Sequence, residues 1–321
     1  MALLKNSRRM RNPALLAICL LFVLGARSFG AVITTPSFTI VYAKNDEADA
    51  RTVAGYAEDS LSRVSHDLGS SGAISEQRVP IHVFSSRGDF LNETGTDRKT
   101  FVVGRAWSAG HTQRIEIDAS GTYSRLETIV AHEVTHVIVA RILGSQVTRL
   151  PLWANEGIAR MESGEGGQAD AEAVGDAIST GKFIPLAQIE DSFPKSNAPA
   201  SLAYSEGSSF MEFIRQKGGP GCLKKLLNRV ARTGDFDQAS SELTGLSFDR
   251  LEGAWRKSVS KSYLSGWLLR NWPAVVGLVM ALLCIAAYKA VQRKRKWNEA
   301  RWLIEDSYYD AEPLDYGDPP D

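Results

Sequence analysis

Apolar and polar positions alternate in four stretches of the first third of the chain. They are Phe38 to Ala43 (FTIVYA), Val79 to Ser85 (VPIHVFS), Phe101 to Trp107 and Arg114 to Asp118, the last two joined through SAGHT. A period of two turns one side of each stretch toward a core and predicts four β-strands. Between them the period lengthens. Asp46 to Leu68 reads as a polar-faced helix ending near Gly69, and Arg87 to Asn92 as a short helical piece. From Tyr123 onward the pattern is helical. A helix over Tyr123 to Leu143 stops at Gly144, and Pro151 closes the loop that follows. Further helices are predicted at Pro151 to Glu162, Asp170 to Ser179, Pro199 to Lys217, Gly221 to Arg232, Phe236 to Leu243 and Phe248 to Ser265. A loop of Gly164, Gly166 and Gly167 and the run Gly218-Gly219-Pro220-Gly221 break them. The fold class is therefore α+β: a small mixed N-terminal sheet packed on the Tyr123–Leu143 helix, then a mostly helical half.

Two longer apolar runs change the picture. Ala14 to Ala26 is thirteen residues long, follows Lys5, Arg8, Arg9 and Arg11, and precedes small residues up to Ala31. A run that short fits a secretory leader better than a membrane span, so residues 1–31 are expected to be a signal peptide. Trp272 to Tyr288 carries no charge over seventeen residues. As a helix it spans roughly 25 Å, and Leu268 and Leu269 extend it. Trp267, Trp272 and Tyr288 stand where interfacial aromatics belong, and Lys289, Arg293, Lys294, Arg295 and Lys296 follow. The expected organisation is an exported domain over 32–266, one transmembrane helix over 267–288, and a cytoplasmic tail over 289–321, basic and then acidic. The segment Glu305 to Asp321 has seven acidic residues and no basic one, and reads as disordered or as a docking segment for a cytoplasmic partner.

Charge balances at 37 Lys plus Arg against 37 Asp plus Glu, which leaves no global field pointing to nucleic acid. Of three cysteines, Cys19 lies in the leader and Cys284 in the span; Cys222 stands alone in the exported part, which therefore holds no internal disulfide.

The chemistry concentrates in His132-Glu133-Val134-Thr135-His136. Residues i and i+4 of a helix share a face, so the two imidazoles can reach one metal ion, while Glu133, about 100° round the helix, points to its flank. Ile129, Val130, Val134, Val137, Ile138, Ile142 and Leu143 surround this helix on nearly all sides. Unpaired ionisable groups in so apolar a helix are costly, and a metal removes that cost. Catalytic zinc wants three protein ligands, and Glu156 in Trp153-Ala154-Asn155-Glu156-Gly157 lies twenty positions on, across Gly144 and Pro151. One zinc per chain is expected. Water made acidic by the ion would attack, with Glu133 moving its proton.

HEVTH followed by NEGIA is similar to the gluzincin clan of zinc metallopeptidases, the thermolysin-like arrangement. It resembles more closely the bacterial peptidase MA-like family, in which an HExxH helix is followed by a W-x-x-E-G segment. The likeness runs from Phe38 to Val259 and takes in GRAWSAGHTQRIEID, SLAYSEGSSFMEFI and LSFDRLEGAWRKSV. It implies that His132, His136 and Glu156 are ligands and that Glu133 is the general base. Thermolysin-like enzymes often carry an Asp four residues after the glutamate ligand, and Arg160 stands there. Support for the first histidine is then expected from a backbone carbonyl or Asn155. The same likeness makes Arg114 to Asp118 an edge strand that pairs with an extended peptide, the alternative being an ordinary interior strand. Tyr204 is either a donor to the tetrahedral oxyanion or a packing residue, and His111 is either such a donor or a solvated loop residue. His66 and His82 read as surface or strand residues. The expectation is a membrane-anchored, extracytoplasmic zinc metallopeptidase of a bacterial cell membrane, acting on a peptide or protein. The alternative is a catalytically idle zinc-binding or sensing module of the same fold.

Overall fold

The structure is a computed structural model that describes residues 30–43, 45–70, 77–96, 102–109, 112–121 and 123–309. The leader up to residue 29, His111 and the acidic tail from residue 310 lie outside the described residues. The chain divides into a unit ending at Ser260 and a second unit from Lys261.

The first unit opens with a hairpin. Strand β1 (Ala31–Thr34) pairs antiparallel with β2 (Phe38–Tyr42), and the Thr35 hydroxyl oxygen accepts the Phe38 N–H across the turn at 3.0 Å. β1 is an element the sequence reading did not anticipate, because its first residue falls on the last position assigned to the leader. Helix α1 (Glu47–Leu68) follows and stops at Gly69, whose φ of 72° is left-handed and suits glycine. Its buried side, including Val53, Ala57, Leu61 and Val64, packs into the core. Strand β3 (Val79–Phe84) then pairs parallel with β2. Helix α2 (Arg87–Thr94) is capped by the Ser86 hydroxyl, which accepts the Asp89 N–H. Strands β4 (Gly104–Ala109) and β5 (Thr112–Asp118) complete a five-stranded mixed sheet in the order β1-β2-β3-β5-β4.

That order corrects one expectation. β5 is interior, parallel to β3 on one side and antiparallel to β4 on the other, and the edge is β4. The reason lies in burial: Ile115 to Asp118 are all buried, including two acids. Each acid is paired, Glu116 with Arg114 at 2.7 Å and Asp118 with Arg87 at 3.0 Å, as buried carboxylates require.

The remainder of the unit is helical, as the pattern predicts. Helix α3 (Tyr123–Leu143) carries HEVTH. A 3₁₀ turn (Gly144–Arg149) leads to α4 (Leu152–Ser163), then α5 (Gln168–Ser179) and a second short turn (Leu186–Ile189). Helices α6 (Asn197–Gly218), α7 (Cys222–Thr233), α8 (Phe236–Thr244) and α9 (Phe248–Arg270) follow. α4 and α6 cross backbone to backbone. A Cβ on Gly157 would lie 2.5 Å from the Gly207 carbonyl oxygen, and one on Gly207 would lie 2.4 Å from that of Trp153. Beside this crossing, Trp153 packs on Phe210, Phe236 and Phe248 with centroids 5.2 to 6.1 Å apart, and Phe210 meets Trp255 at 5.0 Å. Such ring pairs add about 0.5–1.5 kcal/mol each beyond their burial and fix how α4, α6, α8 and α9 pack. Cys222 is a buried free thiol.

The second unit contains α10 (Trp272–Tyr309), long and apolar enough to cross a membrane and compatible with a single-pass anchor. At 1.5 Å per residue it measures about 57 Å, longer than a bilayer core of about 30 Å. It does not end at Tyr288. The helix continues through the basic segment and past Glu305, with Arg295–Glu299 and Arg301–Glu305 pairs one turn apart at 2.9 and 3.2 Å. The start of the acidic segment, read as disordered or as a docking segment, is helical as far as Tyr309.

Candidate metal centre

α3 brings His132 and His136 to one face with ring centroids 4.9 Å apart, and α4 turns back so that Glu156 meets both. Glu156 Oε2 lies 3.3 Å from His132 Nε2 and 3.6 Å from His136 Nε2. Direct hydrogen bonds between such groups run shorter, about 2.7–3.2 Å. Ligand atoms each about 2.0–2.1 Å from a tetrahedral zinc stand about 3.3 Å from one another. The three donors, all within 4.8 Å of each other, thus fit an ion between them better than they fit a hydrogen-bonded cluster. Two imidazoles and a carboxylate are also the donor types zinc prefers. The structure brings together the three residues singled out as ligands; no other cluster of this kind occurs among the described residues.

The electrostatics follow from burial in company. Burial works to raise the Glu156 carboxyl, but the His136 and His132 imidazoles outweigh it and hold the acid below the usual carboxylate range. Burial pulls both histidines down, and the surrounding carboxylates reverse this, with Glu156 and Glu165 acting on His132 and Glu156 with Glu133 acting on His136. The cluster is therefore tuned to hold positive charge.

Glu133 is buried and is raised mainly by that burial, against the pull of the two histidines. The Ala106 backbone on the edge strand β4 works the other way and favours the ionised form. The strand approaches so closely that a Cβ on Gly104 would meet Glu133 Oε1 at 2.5 Å, so glycine there lets β4 lie against the acid. Tyr204, on α6, stacks edge-on against Phe193 with centroids 4.7 Å apart. Burial, then the charges of Glu156 and Glu133, push its phenol up, so it stays a neutral donor.

The histidines are held from behind. His136 Nδ1 lies 3.2 Å from Asn155 Oδ1, so Asn155 supports the second histidine and not the first. His132 Nδ1 faces Glu165 Oε2 at 3.5 Å. Arg160, one turn after Glu156, does not touch the histidine. It contacts Glu165 Oε2 at 3.2 Å and grips Asp170 through Nη2 at 2.9 Å and Nε at 3.3 Å. Sequence reasoning missed Glu165 and Asp170. Their only signal was acids flanking a Gly-rich loop nine to fourteen residues past Glu156, and spacing says nothing of where such a loop folds.

A mixed sheet laid on a helix with paired histidines and a glutamate from the next helix defines a His-His-Glu metal-site architecture. The family comparison agrees: residues 56–261, more than half of the chain, match the model of the Peptidase MA superfamily. The chain belongs to that superfamily, which points to a peptidase. No curated protein matches it.

Proposed function

We propose that this chain is a membrane-anchored, extracytoplasmic zinc metallopeptidase of the gluzincin type. The observation that carries the reading is the convergence of His132, His136 and Glu156 at zinc-like separations, with the buried acid Glu133 beside them. His132, His136 and Glu156 hold the ion. When bound, it supplies Lewis acidity, polarising a peptide carbonyl and making water acidic enough to attack near neutral pH. Glu133 takes the proton from the attacking water and passes it to the departing amine. Tyr204 donates to the carbonyl oxygen as that atom gains charge.

The outer edge of β4, unpaired by any strand among the described residues, suits a peptide substrate. An extended chain added there pairs through main-chain groups, which places little demand on side chains, and β4 carries it past Glu133. The leader is removed, residues 32–266 face outward, 267–288 cross the membrane, and the tail lies inside, in keeping with the basic flank after Tyr288. Arg160 stands where thermolysin-like enzymes often carry an Asp, yet the first histidine has a carboxylate neighbour, Glu165.

The test is Glu133→Gln in the purified full chain, read by zinc content and by digestion of a peptide library. Zinc should stay at one per chain while hydrolysis drops by roughly 10²-fold or more. Undiminished cleavage by the variant, or a wild-type protein that holds no zinc, sinks the proposal.

A further inference from the structure

The site above leaves one buried atom without a hydrogen bond: His132 Nδ1. A histidine that ligates through Nε2 is aimed by whatever accepts from its other nitrogen, and an unheld imidazole makes a poor ligand. The nearest charged group is the Glu165 carboxylate, at 3.5 Å. Glu165 sits in a loop and not on a helix, so something must fix the loop before the loop can fix the histidine.

The structure supplies that fixation in a chain of charged contacts. Asp170, at the start of α5, is buried and takes Arg160 in a two-point grip. It also accepts the Ser205 hydroxyl at 2.8 Å. Arg160 then turns its remaining nitrogen to Glu165 at 3.2 Å. The planar guanidinium can span two carboxylates at fixed angles, which a lysine cannot. The backbone closes over this pair: Gly166, at φ 81°, leaves no room for a side chain, since a Cβ there would fall 1.8 Å from Asp170 Oδ2. Gly164 and Gly167 are left-handed too, so the path that returns Glu165 toward α3 rests on three glycines.

We infer that Glu165 is the positioning residue for His132, and that Arg160 and Asp170 hold it in place. The inference rests on the zinc-site reading above. Residue 160 on α4 is a cation, and the carboxylate that faces the histidine comes from the loop. Ser205 adjoins Tyr204 on α6, so the same chain of contacts links the histidine's orientation to the helix that carries the proposed oxyanion donor.

The experiment compares wild type with Glu165→Gln, Glu165→Ala, Arg160→Met and the Glu165→Ala/Arg160→Met double variant, each as the full chain in detergent. Zinc affinity is measured by chelator competition, the cobalt-substituted protein is examined by visible absorption, and metal-free melting checks the fold. Glu165→Ala should weaken zinc binding by roughly 10–100-fold and alter the cobalt spectrum. Glu165→Gln, which keeps an acceptor, should lose less. Arg160→Met should resemble Glu165→Ala, and the double variant should be no worse than either single one, because all act on one element. The inference is overturned if Glu165→Ala binds zinc within twofold of wild type with an unchanged cobalt spectrum, or if the two single losses multiply in the double variant. Should Glu165→Ala melt early without metal, Arg160→Met decides the matter by the same two readings. Wild type that binds no zinc removes the metal-site reading itself, whereas tight wild-type binding with indifferent variants removes only the role of Glu165.

Discussion

Two Glu-Gly pairs meet back to back in this molecule, and their fates differ. Asn155-Glu156-Gly157 on α4 and Ser205-Glu206-Gly207 on α6 touch through their glycines, with a Gly157 Cβ position 2.5 Å from the Gly207 carbonyl. Both glutamates are largely removed from water. Glu156 faces two imidazoles and is held ionised against the pull of its burial. Glu206, fully buried, accepts the Ile184 N–H through one oxygen and has no partner for the other; its burial, with Glu252 nearby, raises it to about 8. Neighbours, not residue type or depth, decide which carboxylate carries charge and which carries a proton.

The strongest way to break this comparison is to swap the two roles by substitution. Glu156→Gln should cost at least about 10²-fold in zinc affinity and abolish cleavage, since on the proposed function it removes one of three ligands. Glu206→Gln should leave zinc stoichiometry at one per chain; metal analysis of both proteins separates them, and equal loss in the two would end the distinction. Next in size is the crossing itself. Gly157→Ala drives a methyl into a main-chain oxygen that cannot swing aside, and should destabilise the fold by about 1–3 kcal/mol, seen as a lower denaturation midpoint. Gly207→Ala should behave alike, against the Trp153 carbonyl.

The last effect, no larger than that of the crossing, is the most diagnostic, because its size depends on pH. The Glu206 carboxyl titrates at 4.5 in its ordinary state and at about 8 in the folded protein. Between those values the folded protein keeps a proton that the unfolded chain releases. This group's contribution is therefore full below pH 4.5 and is lost as pH rises toward about 8. Gln mimics the protonated acid. Glu206→Gln should melt close to wild type at pH 5 and higher than wild type at pH 8, by on the order of 1–3 kcal/mol. Melting curves that shift equally at both pH values would show that Glu206 does not take up a proton on folding.

How much of this was legible beforehand depends on how local the signal is. His132 and His136 are one helical turn apart, so their shared face follows from spacing alone. Glu156 was legible because Gly144 and Pro151 mark a reversal and a helix follows. Its twin Glu206 shows why that inference needed more than an acid beside a glycine: which way a helix faces is set by packing, here the Trp153 ring cluster. The strand order was not legible, since alternation reports which side of a strand is buried and not which strand lies next to it. β5 therefore read as an edge from family likeness alone, although two acids in its buried stretch, each answered by an arginine, were the clue to an interior place. Glu165 was beyond reach because left-handed glycines send the loop where no periodicity reports.

The tight Gly157–Gly207 contact also has a mechanical meaning. With main chain against main chain there is no side-chain cushion to absorb rotation, so α4 is keyed to α6 like a shaft in a slot. A slip of one residue would turn the helix by about 100° and swing Glu156 away from both imidazoles. Angular indexing of Glu156 is thus delegated to two residues that have no side chains at all.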